Sequence, residues 1–226
     1  MHRTCPGLVG RRRTLLSAAS ALLLVSACAG PGVGPATAFD ISETFVSKTA
    51  PVPQWTAVVA RYDEASRSPA AIPAEWERLV RDLHGLTVPQ QIERVNAEIN
   101  RHPYVASEQN WGRPDYWETP FEFLEKNGQC QDYAATKYFL LRAAGVPASE
   151  LQVVVVRDSE TRQDHAVVIV DPHGAALLLD NQIQHVVPFA TARRYAPLYA
   201  VNEDGWWVFK GRQTAPSGAR YAEANF

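Results

Sequence analysis

Cysteine and net charge are both scarce in this sequence. Its 226 residues include three cysteines, Cys5, Cys28 and Cys130, and carry a formal charge of -2. Three cysteines are too few for a disulfide scaffold or for a four-cysteine zinc site. A nearly neutral chain has no basic field to hold a polyanion, so we expect no nucleic-acid partner.

The sequence also lacks a hydrophobic run long enough to span a membrane. Its main apolar run, Leu15 to Ala27, falls short of the roughly 20 residues that a spanning helix needs. Four arginines and no acidic residue lie in or before this run. This layout predicts an export signal over residues 1–27, by either the general or the twin-arginine route.

The end of the apolar run indicates how Cys28 is modified. Residues 24–27 followed by Cys28 resemble a bacterial lipobox, and a Gly- and Pro-rich stretch continues to residue 39. We expect lipidation at Cys28, a flexible tether over 28–39, and a periplasmic protein held to the membrane only through its lipid. Cys130 is then the one remaining thiol in an oxidising compartment, and it is either buried and inert or reactive.

Hydrophobic spacing predicts an α+β fold, with helices packed on a C-terminal antiparallel sheet. We expect one domain over residues 40–212 and a polar tail over 213–226. The helices are expected at 55–66, 73–84, 88–101, 120–126 and 130–144. The strands are expected at 151–157, 166–170, 175–179, 197–201 and 206–210, the last two joined as a hairpin.

Two residues form a candidate nucleophile and base. Cys130 follows Asn127-Gly128-Gln129 at the expected start of a helix, where free N–H groups and the positive end of the helix dipole favour a thiolate. His165 begins an apolar strand after a polar stretch, so the sheet would fix its ring while one face looks into a cleft.

The third candidate follows from a predicted turn at Asp171-Pro172-His173-Gly174. If Pro172 and His173 form a two-residue loop, Asp180 lies directly across the ladder from His165 and can orient the imidazole. A bulge at Gly174 would place Asn181 there instead. The Cys130 backbone N–H is a natural oxyanion donor, and the indole of Trp111 is a candidate for a second one; Trp111 and Asn181 are thus oxyanion or substrate candidates.

Several segments in the same order resemble a known family. They are 111–120, 128–138, His165-Ala-Val-Val and Leu179-Asp-Asn, and they are similar to the bacterial transglutaminase-like cysteine proteinases of the LapG type. The resemblance implies a papain- or transglutaminase-like fold and a Cys130-His165-Asp180 triad. It also implies a periplasmic thiol protease that cleaves a large biofilm adhesin and is held back by an inner-membrane receptor for cyclic di-GMP.

The chain departs from this family in two respects. The family commonly flanks its cysteine with acids that support calcium binding, whereas Gln129 and Gln131 stand here. Calcium prefers six to eight hard oxygens and gains affinity from carboxylate charge, so we expect no metal or other cofactor. The second departure is the lipobox, because the resemblance suggests a soluble periplasmic protein.

Two other functions remain open from the sequence. The same triad could transfer an acyl group to an amine, as a transglutaminase does, if a lysine-type amine outcompeted water. The chain could also be a non-catalytic envelope lipoprotein that holds a peptide in the cleft.

Overall fold

The computed structural model describes residues 41–47, 52–172 and 174–211. The chain divides into two units, Met1–Gly32 and Val33–Phe226, and every described residue belongs to the second. The predicted signal, lipidation site, tether and tail lie outside the described residues. So does His173, which falls in the predicted hairpin turn.

Six α-helices occupy the first part of the described chain. They are α1 (Pro53–Ser66), α2 (Ala74–Leu83), α3 (Val88–Ile99), α4 (Ser107–Trp111), α5 (Pro120–Lys126) and α6 (Cys130–Ala143). Five of them match the predicted helices to within a few residues. The sequence pattern did not predict α4, because five residues are too short to show a helical repeat. Short 3₁₀ turns follow α1 and α6 and lie near residue 190.

The strands form one antiparallel sheet, whose first strand precedes the helices and whose other strands follow them. Its strands are β1 (Ile41–Ser47), β2 (Leu151–Asp158), β3 (Asp164–Val170), β4 (Leu177–Leu179), β5 (Val187–Pro188), β6 (Tyr195–Val201) and β7 (Trp206–Gly211). Their order across the sheet is β1-β7-β6-β2-β3-β4-β5. The expected α+β class is confirmed, as is the hairpin between β6 and β7, where Val201 pairs with Trp206.

The predicted register between β3 and β4 is wrong. Val168 pairs with Leu179 and Val170 with Leu177. The strands are therefore joined by six residues, 171–176, and the ladder is displaced by two positions from the prediction. Continuing this register places Gln182, and not Asp180 or Asn181, opposite His165.

The long helix α6 lies at the centre of the fold and has Cys130 as its first residue. It packs on β2 and β3 and contacts α2, α3 and α5 on its other sides. Alternate residues of β2 and β3 enter two separate cores: Val153, Val155, Val168 and Val170 face the helices, whereas their neighbours Val154, Val156, Val167 and Ile169 form the second core. Among the residues described, no helix is long and apolar enough to cross a membrane.

Candidate active site

Cys130 is the first residue of α6, and the turn before it is tightly fixed. Asn127 adopts a left-handed backbone conformation with φ of 60°. The Asp132 carboxylate then accepts hydrogen bonds from the backbone N–H groups of Gln129, at 2.9 Å, and Glu118, at 2.8 Å. These bonds cap the helix from within its first turn and hold the partly exposed Cys130 side chain where the helix begins.

His165 lies near the start of β3 and interacts with two acidic groups. Its Nε2 is 2.7 Å from Asp180 Oδ1, and Cys130 is close enough to influence its pKa. The Cys130 Sγ itself donates to Gln131 Oε1 at 3.5 Å. Burial alone would lower the pKa of His165, but the interactions with Asp180 and Cys130 outweigh it and raise the pKa to about 9. The imidazole is therefore positively charged at neutral pH.

Asp180 follows β4 immediately and is almost completely buried. Besides His165, its carboxylate accepts the backbone N–H of Gln182 at 2.9 Å and the hydroxyl of Tyr195 at 2.6 Å. Burial raises the pKa of Asp180, and these hydrogen bonds more than offset that, so the net pKa lies below its usual value. A carboxylate that is ionised at neutral pH thus fixes the orientation of the His165 ring.

His165 and Asp180 are in contact although the register of β3 and β4 differs from the predicted one. Because Gln182 projects opposite His165, Asp180 is the diagonal neighbour two positions away. Diagonal neighbours in a ladder are about 7–8 Å apart at the backbone, which side chains can span. The structure thus brings together the three side chains that the sequence singled out.

A family model places the chain among known proteins. The model described as bacterial transglutaminase-like cysteine proteinase matches residues 55–214. That range includes α2 to α6, all but the first two residues of α1, and the strands β3 and β4. The chain belongs to this family. It is a cysteine peptidase with a transglutaminase-like fold.

Solved structures agree with the family assignment. Calcium-bound LapG of Legionella pneumophila is 26% identical to this proteinase with a TM-score of 0.56, over 65% of this chain and 87% of LapG. EGTA-treated LapG from the same organism is 27% identical with a TM-score of 0.55, over 67% of this chain and 84% of LapG. Among curated proteins, no sequence matches this proteinase significantly.

Few carboxylate oxygens near Cys130 are free to bind a calcium ion. Glu118 and Asp132 are the two carboxylates there, and three of their four oxygens already accept N–H donors. The fourth, Glu118 Oε2, is buried and has no hydrogen-bond partner in the described part of the chain. The side-chain oxygen of Gln129 accepts the Ser107 N–H, and its Nε2 donates to the Pro114 carbonyl. Within the same residues, no cluster of three or more His, Cys, Asp or Glu side chains could hold a metal.

The pKa values of both carboxyl groups are raised. Burial raises the pKa of Asp132 to about 8, and the nearby Glu118 contributes to that increase although two backbone N–H bonds oppose it. Burial likewise raises the pKa of Glu118. A raised pKa favours the neutral form of each carboxyl group, which reduces the negative charge near Cys130.

Trp111 is not available as an oxyanion donor, which corrects that expectation. Its single N–H group donates to Glu118 Oε1 at 2.6 Å. The indole ring packs on Tyr116 and lies beneath the ammonium group of Lys126. Trp111 thus supports the loop before α5, and its role is packing. Asn181 adjoins Asp180 and is partly exposed, so it stays a candidate for contact with substrate.

Sequence reasoning missed three polar residues behind the site. Tyr195 orients Asp180, as described above. Lys137 is buried in α6 and donates to Asn96 Oδ1 at 2.8 Å; burial lowers the pKa of Lys137 to about 7, although Asp180 opposes this. Asn96 in turn donates to the carbonyls of Ile183 and Gln184, so it ties α3 to the segment that follows Asp180. Lys137 lies two helical turns after Cys130, and that spacing was the one available signal.

Proposed function

We propose that Cys130 is the nucleophile of this peptidase, His165 its acid and base, and Asp180 the group that orients His165. The observation that carries the proposal is the position of His165, whose ring interacts with Cys130 and is hydrogen-bonded to Asp180. An imidazolium beside the sulfur stabilises a thiolate, which is the reactive form of cysteine.

The chemistry follows from these positions. The Cys130 sulfur attacks the carbonyl carbon of a peptide bond, and the resulting oxyanion is stabilised by the Cys130 backbone N–H, which has no intrahelical acceptor at the first helical position. The C–N bond then breaks as His165 donates its proton to the leaving amine, leaving a thioester on Cys130. His165 next removes a proton from water, which attacks the thioester, releases the carboxylic acid and regenerates the thiol.

The substrate class extends this proposal to the cell envelope. The resemblance to LapG-type proteinases supports a large surface adhesin as the substrate and a cyclic di-GMP receptor of the inner membrane as a regulatory partner. The lipobox at Cys28 supports a periplasmic enzyme anchored by lipid. In this setting the enzyme would act close to the membrane in which its substrate is retained.

We further propose that this peptidase works without calcium. Gln129 and Gln131 carry no charge, and most oxygens of Glu118 and Asp132 are engaged with N–H donors. Such a set offers little to a cation that depends on free carboxylate oxygens. The raised pKa values of Glu118 and Asp132 favour their neutral forms. Neutral carboxyl groups attract a cation less strongly than carboxylates do.

The test compares cleavage and thiol reactivity with and without calcium. Mature wild type is incubated with an alanine-rich adhesin peptide in calcium or EGTA, and new N-termini are identified by mass spectrometry. In parallel, iodoacetamide alkylation of Cys130 is timed in wild type and His165→Ala. We expect equal cleavage and equal alkylation in both buffers, slower alkylation in His165→Ala, and no cleavage by Cys130→Ala.

Three results would contradict the proposal. A clear rise in activity or thermal stability with calcium would show that other oxygens have formed a metal site. Cleavage by Cys130→Ala would show that Cys130 is not the nucleophile. Release of ammonia in place of new N-termini, when a lysine-type amine is present, would identify a transglutaminase.

A further inference from the structure

Tyr104 is unusually exposed for a large aromatic residue. Its side chain is 59% exposed, compared with 50% for Phe45 and 47% for Val46, which are the other large hydrophobic residues exposed in the described part of the chain. Phe45 and Val46 lie on the edge strand β1, and the Phe45 ring packs edge-on against Trp207. Tyr104 has no comparable ring contact among the described aromatic pairs.

The segment that carries Tyr104 is nevertheless well fixed. Tyr104 forms a parallel bridge with Gly128, and the next residue, Val105, donates its N–H to the Gly128 carbonyl at 2.9 Å. The Tyr133 hydroxyl donates to the His102 carbonyl, and the His102 ring is 3.0 Å from Asn127 Oδ1. The exposure of Tyr104 is therefore a feature of an ordered surface and not of a loose loop.

This surface lies next to the candidate nucleophile. Gly128 precedes Cys130 by two residues, so the bridge places Tyr104 beside the turn that leads into α6. Partial burial raises the pKa of Tyr104, and negative charge on Cys130 and on Asp132 raises it further, so both groups lie within electrostatic reach of its hydroxyl. An exposed aromatic side chain on a well-fixed backbone segment thus borders the turn that leads to Cys130.

We propose that Tyr104 is a specificity-determining residue of this peptidase, whose ring packs against an apolar side chain of the substrate adjacent to the scissile bond. The inference rests on the proposed role of Cys130. Exposed aromatic rings bind apolar groups at a low entropic cost because few torsions are lost. Tyr104 would hold the substrate and take no part in the chemical steps.

The test separates binding of the peptide from reactivity of the thiol. A peptide library that varies the residues around the cut site is digested by wild type, Tyr104→Ala, Tyr104→Phe and the control Phe45→Ala. Cleavage sites are identified by mass spectrometry, kcat and KM are measured for the best peptide, and iodoacetamide alkylation of Cys130 is timed in each protein.

We expect Tyr104→Ala to lose the preference for an apolar residue near the cut and to raise KM about ten-fold with little change in kcat. Tyr104→Phe and Phe45→Ala should resemble wild type, and all four proteins should be alkylated at the same rate. That equal rate also shows that each variant is folded around Cys130.

The outcomes distinguish this inference from the proposed function. If wild type cuts the library but Tyr104→Ala shows the same preference and KM, the inference is wrong and the role of Cys130 stands. If Tyr104→Ala is alkylated more slowly, Tyr104 acts on the thiol and the inference is also wrong. If wild type cuts no peptide, both proposals fail together.

Discussion

At the scale of single residues, the site is organised around one histidine between two acidic groups. Asp180 carries its charge in a buried position because His165, Tyr195 and the Gln182 backbone all donate to it. This carboxylate opposes the desolvation of His165 and keeps its pKa near 9. The imidazolium is the form that can protonate a leaving amine, and it is lost as the pH rises through that value.

We therefore predict that Asp180→Asn changes both the rate and its pH dependence. Loss of the carboxylate should lower kcat/KM by up to about four orders of magnitude, by analogy with the serine triad. It should also move the alkaline fall in activity, near pH 9 in wild type, to lower pH. The measurement is kcat/KM for a cleaved peptide from pH 5 to 10, at ~0.5-unit intervals.

Asp171→Asn is the matched control for this prediction. Asp171 is also buried and lies at the end of β3, yet no described side chain is hydrogen-bonded to its carboxylate oxygens. The same chemical change there should leave the alkaline limb in place. An alkaline limb that stays near pH 9 in Asp180→Asn would show that Asp180 does not set the protonation of His165.

At the scale of secondary structure elements, the sequence predicted the ends of helices that are marked by nearby capping residues or glycine. The capping box of Thr119 and Glu122, with Pro120 in the first turn, predicted the start of α5, and the structure has both bonds of that box. Gly145 likewise marks the end of α6. The register of β3 and β4 was not predictable in this way, because six residues join the strands and the turn signal in Asp171-Pro172-His173-Gly174 accounts for four of them.

The edge strand β1 was also missed, for a different reason. Its pairing partner β7 lies more than 150 residues later in the chain, and its sequence shows no clear alternation of apolar and polar residues. Tertiary pairing supplies the stability that the local pattern lacks. The prediction placed Asp180 directly opposite His165, whereas the structure places it diagonally. The two side chains still meet, because side chains can span a diagonal pair as well as a direct one.

The turn before α6 gives a prediction at this scale. A Cβ on Gly128 would lie 2.6 Å from Asp132 Oδ2 and 2.7 Å from Asp132 Cβ. The second atom is fixed to the helix backbone, so Gly128→Ala must displace the first turn of α6. We expect a loss of about 1–3 kcal/mol in the free energy of unfolding, measured with urea, and a marked fall in the alkylation rate of Cys130.

Gly112→Ala provides the comparison. Gly112 has a φ of 63°, but a Cβ there would meet no atom within 4 Å. This variant should lose about 1–2 kcal/mol through backbone strain alone and keep the alkylation rate of wild type. Equal alkylation rates in both variants would mean that the packing around Gly128 does not position Cys130.

At the scale of the whole molecule, the helical part of the fold and the sheet both contribute residues to the site. Cys130 comes from the start of α6, whereas His165 and Asp180 come from β3 and the segment after β4. The three residues thus meet where the first turn of the central helix approaches β3. Such a site forms only when the helical and β parts of the fold are packed together.

The attachment of the enzyme to the membrane is the prediction that belongs to the whole chain. If the lipobox is used, the protein expressed in a bacterial host should begin at a lipidated Cys28 and sediment with membranes. Cys28→Ala should shift it to the soluble fraction without altering peptide cleavage. Intact-mass analysis gives the N-terminus, and an unmodified N-terminus downstream of residue 28 would be contrary to the lipoprotein assignment.

The central claim is that Cys130 carries a covalent thioester during peptide cleavage, and trapping that intermediate tests it most directly. Wild type is mixed with a cleavable peptide in EGTA, quenched in acid within the first turnovers and analysed by intact-mass and peptide-mapping mass spectrometry. The account predicts a mass increase equal to the N-terminal half of the cut peptide, located on Cys130 and removed by hydroxylamine. The account would be contradicted if Cys130 stayed unmodified at every time point while the peptide was cleaved, and if Cys130→Ala cleaved the peptide as fast as wild type.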